Sequence, residues 1–168
     1  IHLYAKHGLL SDAQKLFDEM PERNVFTWNL MIAAHLKNRD VGNAETLFNA
    51  SPHRDLVTYN SMLAGYVNSD DGHETRALKL FNEMQSCLIT DGGGIDEFTV
   101  TTMLNLISRL TLPLLGMQLH CYMVKAGYDS TVFSSSALID MYSKCGCFRE
   151  ALQVSDDPSG CLDLVSKN

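Results

Sequence analysis

"TWNLMIAAH" occupies residues 27–35 and "TYNSMLAGY" residues 58–66, nearly the same nine residues written twice, 31 positions apart. From Trp28 the apolar side falls on Trp28, Met31, Ile32, His35 and Leu36; from Tyr59 it falls on Tyr59, Met62, Leu63, Tyr66 and Val67. The spacing returns at Val100, Met103, Leu104, Ile107 and Ser108, and again at Ser135, Leu138, Ile139, Tyr142 and Ser143. Steps of three and four residues put each set on one face of a helix, with His35 and the serines as the polar interruptions.

A second helical pattern follows each of these. It reads Ala13, Leu16, Phe17, Met20; Ala44, Leu47, Phe48, Ser51; Ala77, Leu80, Phe81, Met84; Gly116, Leu119, His120, Met123; and Ala151, Val154, Ser155, Pro158. The small residue heading each set lets two helices approach closely. The offset between paired helices is 15 residues from Asn29 to Ala44, from Thr101 to Gly116 and from Ser136 to Ala151. It is 17 from Asn60 to Ala77, which places two extra residues in the turn Ser69-Asp70-Asp71-Gly72. "KHG", "KNRD" and "KCG" break the chain between partners. A helix–turn–helix unit cannot bury both its faces alone, and stacked copies share a continuous seam, so the pattern predicts an all-α chain folded as an α-solenoid. No strand-like alternation competes. His35 and His120 lie in the apolar stripes and read as packing residues, since neither has a second ligand at metal spacing.

Bulk composition narrows the function classes. At 168 residues, 45% hydrophobic and 20% charged, the chain is long and apolar enough to bury a core and is not of the disordered type. No apolar run approaches the roughly 20 residues of a membrane span, and no signal peptide opens the sequence. The start at Ile1-His2-Leu3-Tyr4, already amphipathic and without Met, reads as a piece of a longer protein. The net charge of −7 gives no overall basic footprint, which weighs against nucleic acid as a partner. Cys87, Cys121, Cys145, Cys147 and Cys161 are odd in number and irregular in spacing, so reduced thiols in packing or loop roles are expected over metal or redox chemistry.

The stretches "NVFTWNLMIAAHLKNRDVGNAETLF", "DLVTYNSMLAGYVNSDD" and "TVFSSSALIDMYSKCGCFREAL" resemble pentatricopeptide repeats. More narrowly, they resemble the plant class that alternates ordinary, long and short repeats, the PLS class. "LFDEMPERN" at 16–24 and "MYSKCG" at 141–146 look like its short repeats, and "DEFTVTTMLNLISRLTLPLLGMQLHCYMVKAGYDS" at 96–130 looks like its long repeat. The resemblance implies a right-handed solenoid. It phases the chain as one repeat array: a partial short repeat 1–24, a short repeat 25–55, a repeat with insertions 56–96, a long repeat 97–131, a short repeat 132–163 and the start of another at 164–168.

What the resemblance implies for function is single-stranded RNA binding at about one base per repeat. The family reads each base with a polar residue of the first helix and the last residue of the same repeat, while a residue three before the polar one packs on the base. Carried over, the second repeat offers Asn29 and Asp55 with Phe26; the third Asn60 and Asp96 with Val57; the fourth Thr101 and Thr131 with Phe98; the fifth Ser136 and Asp163 with Phe133. The partial repeats keep only Asn24 and Asn168. An Asn amide carries donor and acceptor for a pyrimidine edge, and a smaller Ser or Thr leaves room for a purine. Asn with Asp implies U and Ser with Asp implies G, so the expected target is 5′-U-U-N-G-3′. Taken singly, Asn29 and Asn60 could equally be helix N-caps, but their recurrence at 31 residues beside Trp28 and Tyr59, with Asp55 and Asp96 in phase, favours readout. Ser155 departs from the family's Phe in the second helix of the fifth repeat, with Pro158 close behind.

No enzyme signature is present. Gly92-Gly93-Gly94 lacks the Lys-Ser/Thr of a phosphate loop, and the acidic pairs Asp18-Glu19 and Asp156-Asp157 read as solvated. The zinc deaminase signature carried by some relatives is absent from these residues. The expected role is therefore recognition, within an organellar RNA editing, processing or stability factor of a plant mitochondrion or chloroplast. No cofactor, membrane or small-molecule substrate is expected, and editing-complex proteins are expected as further partners. The competing reading is a helical scaffold that binds a protein segment, which the acidity and the apolar content both allow.

Overall fold

The computed structural model describes residues 1–69, 72–90, 94–129 and 131–156, with the backbone alone for 88–90. Every regular element among the described residues is a helix: α1 (His2–Lys6), α2 (Leu10–Glu19), α3 (Val25–Lys37), α4 (Val41–Ala50), α5 (Leu56–Asn68), α6 (Glu74–Thr90), α7 (Glu97–Leu110), α8 (Pro113–Ala126), α9 (Val132–Lys144) and α10 (Phe148–Asp156). Two compact units divide them, one running from Ile1 to Ile95 and holding α1–α6, the other beginning at Asp96 and holding α7–α10. Asp70 and Asp71 of the expected turn insertion lie outside the described residues, as do Asp91, Gly92 and Gly93.

Local chemistry starts and stops these helices. Asn24, Asp40 and Asp55 cap α3, α4 and α5 by accepting the N–H of Thr27, Asn43 and Thr58; Asp96 and Thr131 do the same for Thr99 of α7 and Ser134 of α9. Each such cap satisfies one of the orphan donors of a helix start and is worth about 1 kcal/mol. After α1 and α9 the chain turns through Gly8 and Gly146, at φ 76° and 75°. Arg39 takes the same left-handed region at φ 60° between α3 and α4, a conformation that costs a side chain about 1–2 kcal/mol.

In the first unit α1 packs on α2 and α3, α3 on α4 and α5, and α5 on α6, while α4 also meets α5. Met31, Ile32, Met62 and Leu63 are fully buried, as are Ala13, Ala44 and Ala77 at the heads of the second helices. A three-part contact recurs. Phe17 of α2 meets Trp28 of α3 edge-on at 4.9 Å between ring centroids, and Phe48 of α4 meets Tyr59 of α5 at 5.5 Å. Arg23 and Arg54 each lie 4.5 Å from the centroid of the corresponding Phe ring. Their Nε atoms donate to the Phe17 and Phe48 carbonyls at 2.9 and 2.8 Å, and Nη2 donates to the backbone carbonyls of Asp18 and Asn49 at 3.0 and 3.2 Å. The guanidinium thus closes the helix C-terminus, where carbonyls have no intrahelical donor, while stacking on the aromatic that seals the seam. His35 is buried as expected but also bonded: Nδ1 pairs with Asp40 Oδ2 at 2.9 Å and Nε2 with Gln14 Oε1 at 3.1 Å.

The second unit keeps the helix pairing and changes the filling. α9 packs on α7, α8 and α10. His120 stands where Phe17 and Phe48 stand in the first unit, and Ser135 where Trp28 and Tyr59 do. The smaller serine leaves His120 to meet Tyr142 instead, with Nδ1 and the phenol oxygen 2.9 Å apart and both side chains buried. Burial holds the His120 imidazole below its ordinary pKa and pushes the Tyr142 hydroxyl well above its own. At Gly116 a Cβ would come within 2.4 Å of the Met141 sulfur, which explains the smallest residue at that helix head.

Candidate nucleic-acid interface

The first helices share one register. Asn24, Asp55, Asp96 and Thr131 are the caps of α3, α5, α7 and α9; Phe26, Val57, Phe98 and Phe133 are their second residues; Asn29, Asn60, Thr101 and Ser136 are their fifth. The second and fifth positions are three apart and lie on one helix face. Asn29 and Asn60 are therefore inside their helices and cap nothing, contrary to the capping alternative; Asn24, Asp55, Asp96 and Thr131 do the capping. All four second-position side chains are exposed, Phe26 by 69%, Val57 by 57%, Phe98 by 53% and Phe133 by 82%. Apolar side chains left this open are accessible to a planar ligand.

The structure brings Asn29 and Asp55 together. Asn29 Nδ2 donates to Asp55 Oδ1 at 3.0 Å, joining the fifth position of α3 to the cap of α5. Thr58, the third residue of α5 and fully buried, completes the group: its hydroxyl lies 2.6 Å from Asn29 Oδ1 and 2.7 Å from Asp55 Oδ1. The hydroxyl also accepts the Asp55 N–H at 3.1 Å, and Asp55 Oδ1 accepts the Thr58 N–H at 2.8 Å, a reciprocal capping box. Partial burial pushes the Asp55 carboxyl up, but the bonds from Thr58 and Asn29 outweigh it and hold the group below its ordinary 3.8, ionised at neutral pH.

The other expected pairs differ. Asn60 is buried in α5, while Asp96 belongs to the second unit and caps α7 by accepting the Thr99 N–H at 2.8 Å and hydroxyl at 2.7 Å. Thr101 and Thr131 are not joined to each other. The Thr101 hydroxyl bonds its own helix, at the Glu97 and Phe98 carbonyls (2.9 and 3.1 Å). Thr131 donates to the carboxylate of Glu97, which also accepts the Ser134 hydroxyl at 2.8 Å. Those two hydroxyls hold the Glu97 carboxyl below its usual range. Ser136 is exposed on α9; its partner Asp163 and the residue Asn168 lie outside the described residues.

Three participants were missed in the sequence: Thr58, Glu97 and Ser134. The signal for two of them is local. "NVFT" at 24–27, "DLVT" at 55–58, "DEFT" at 96–99 and "TVFS" at 131–134 repeat a cap followed three residues later by a hydroxyl. Elsewhere the chain offers little chemistry: among the described residues no three His, Cys, Asp or Glu side chains are grouped to hold a metal ion, and Cys87, Cys121, Cys145 and Cys147 are in no disulfide. Cys161 lies outside the described residues, and none of the described helices is long and apolar enough to cross a membrane.

The family model described as the PPR repeat matches residues 1–25, 26–51, 57–87 and 133–154, more than half of the chain. The chain belongs to the pentatricopeptide repeat family. The helices α7 and α8 fall between the third and fourth matched stretches. Among curated relatives from Arabidopsis thaliana, the chain is 45% identical to the putative pentatricopeptide repeat-containing protein At3g18840, over 98% of this chain and 24% of that protein. It is 33% identical to the putative pentatricopeptide repeat-containing protein At3g13770, mitochondrial (97% and 20% covered), and 36% identical to At1g11290, chloroplastic (92% and 15%). The chain thus spans about a quarter or less of these relatives' length. The crystal structure of maize PPR10 superposes with a TM-score of 0.70 at 24% identity, covering 94% of this chain and 23% of that one. The same maize protein in complex with an 18-nt psaJ RNA element gives 0.68, covering 95% and 24%. These likenesses place the pentatricopeptide chain in the all-α solenoid fold.

Proposed function

We propose that this pentatricopeptide chain binds single-stranded RNA and reads it at about one base per repeat. The observation that carries the reading is the 3.0 Å bond from Asn29 to Asp55 beside the exposed Phe26 ring. An oriented amide next to an open aromatic can hydrogen-bond a base edge while the ring packs against the base. The repeated register of exposed second-position and polar fifth-position residues supports one such site per repeat, and the likeness to an RNA-bound maize protein agrees with it.

In this proposal the base-reading pairs are Asn29 with Asp55, Asn60 with Asp96, Thr101 with Thr131 and Ser136 with Asp163, and the target is 5′-UUNG-3′. The helix pair α7–α8 takes any base, because its two threonines bond elsewhere. The repeat phasing and the PLS class assigned from the sequence belong to the same proposal. So does the wider role: recognition rather than catalysis, in an organellar RNA editing, processing or stability factor that works with editing-complex proteins. Relatives named mitochondrial and chloroplastic support an organelle.

The net charge of −7 favours a second reading, a scaffold for a protein segment. Binding of the chain to a short RNA containing UUNG, against the same RNA with both U's changed to A, separates the two. The expected result is a several-fold preference for U that the double substitution Asn29→Ala, Asn60→Ala abolishes. Equal binding to both RNAs, or none, moves the assignment to the scaffold.

A further inference from the structure

We infer that Thr58 is a positioning residue for base discrimination: its hydroxyl, with the Asp55 carboxylate, locks the Asn29 amide in one orientation and so separates uracil from cytosine at that site. The inference rests on the proposed base reading and assigns the residue that orients it.

The argument is a count of donors and acceptors. An ionised carboxylate only accepts, so the Asn29 face turned to Asp55 at 3.0 Å must be Nδ2. That leaves Oδ1 toward the Thr58 hydroxyl at 2.6 Å, and this oxygen only accepts as well. The hydroxyl accepts the Asp55 N–H at 3.1 Å, and its proton faces the two oxygens, Asn29 Oδ1 and Asp55 Oδ1. A flipped amide would set its oxygen against the carboxylate and forfeit the 2.6 Å contact in which Oδ1 accepts the Thr58 hydroxyl proton. One donor and one acceptor of the amide remain for a ligand, in a fixed order: acceptor on the Thr58 side, donor on the Asp55 side.

That order matters because uracil and cytosine have nearly the same shape. Uracil presents N3–H as donor beside O4 as acceptor; cytosine presents N3 as acceptor beside the N4 amino donor. An amide free to flip satisfies either base equally. A locked amide satisfies one of them and sets donor against donor for the other. Purines are distinguished separately, by size. Thr58 is fully buried, so its hydroxyl touches no ligand and acts only through Asn29 and Asp55. At the equivalent place in α9, Ser134 also reaches back to the preceding first helix, at Glu97, so a serine hydroxyl suffices for such a contact.

The test measures affinity of the full chain for RNAs carrying U, C, A or G at the base assigned to Asn29. Unsubstituted protein should prefer U to C and U to A. Thr58→Ser should keep both preferences. Thr58→Val, equal in shape but lacking the hydroxyl, should lower the U-to-C ratio by about five-fold, the worth of one neutral hydrogen bond, and leave the U-to-A ratio in place. A general loss of packing would weaken all four RNAs alike. An unchanged U-to-C ratio in Thr58→Val overturns the inference while the base reading stands. Absence of any base preference in the unsubstituted chain overturns the reading and the inference with it. Were Thr58→Val not to fold, the Thr58 hydroxyl proton in the unsubstituted protein decides by NMR. It should exchange slowly and shift in Asn29→Ala, and a signal that does not shift overturns the lock.

Discussion

The two compact units follow one helical register and fill it with different chemistry. In the first, the place where a second helix meets the next first helix is an aromatic pair capped by arginine: Phe17, Trp28 and Arg23, then Phe48, Tyr59 and Arg54. In the second, the same place holds a buried hydrogen bond between His120 and Tyr142. The candidate reading positions diverge in parallel, Asn29 joined to Asp55 in one and Glu97 joined to Thr131 in the other. A repeat architecture constrains where side chains stand, and leaves open whether shape or hydrogen bonding holds neighbours together.

The largest effect expected from breaking this contrast is in the first unit. Phe48→Ala removes a buried ring, its edge contact with Tyr59 and the platform under Arg54, and should cost about 3–5 kcal/mol in urea unfolding. A loss below about 1 kcal/mol would show that the aromatic seam is not the principal joint.

Arg54→Ala should cost about 2 kcal/mol by the same measurement, because two carbonyls at the end of α4 lose a charged donor. Arg54→Lys should recover little, since an ammonium cannot span both carbonyls and stack on the ring. Full recovery would reduce the arginine to a simple charge.

The second unit should lose stability as pH falls from 7 to 5. His120 is held below its ordinary pKa of 6.5, so the unfolded chain takes up a proton before the folded one does. Its contribution is complete above about pH 6.5 and is lost as pH falls through the depressed folded value. His120→Phe, which installs the first unit's residue, should flatten that slope but strand the buried Tyr142 hydroxyl. Adding Tyr142→Phe should recover most of the lost stability, because removing both partners leaves no unpaired polar group. Melting temperatures at pH 5, 6 and 7 for the unsubstituted chain and the two variants check this.

The smallest effect sharpens the comparison by being nearly absent. Thr101→Ala should change RNA affinity by less than about two-fold for any base at its position, since its hydroxyl bonds its own helix. A several-fold, base-dependent loss would make α7–α8 a reading element like α3–α4.

Most of the fold is legible in the residue pattern. Two strings 31 residues apart define the first helices, and the apolar steps after each small residue define the second. The candidate site is legible in part: the exposed second positions and polar fifth positions stand in the register read from the chain. The alternative that Asn29 and Asn60 are caps falls away, because the helices start directly after Asn24, Asp55, Asp96 and Thr131.

Whatever depends on neighbours three or four residues away is written in the chain: helix faces, caps and turns. Those interactions are complete within one or two turns, so residue types and spacing suffice to specify them. Only the packing of helices settled which polar groups meet across them. Asn29 carries its amide one bond farther from the backbone than Thr101 carries its hydroxyl. The amide spans to Asp55 and Thr58, while the shorter hydroxyl falls back on its own helix and leaves Thr131 to Glu97. Whether a side chain bridges that gap depends on the separation of two packed helices, a quantity that no local pattern contains.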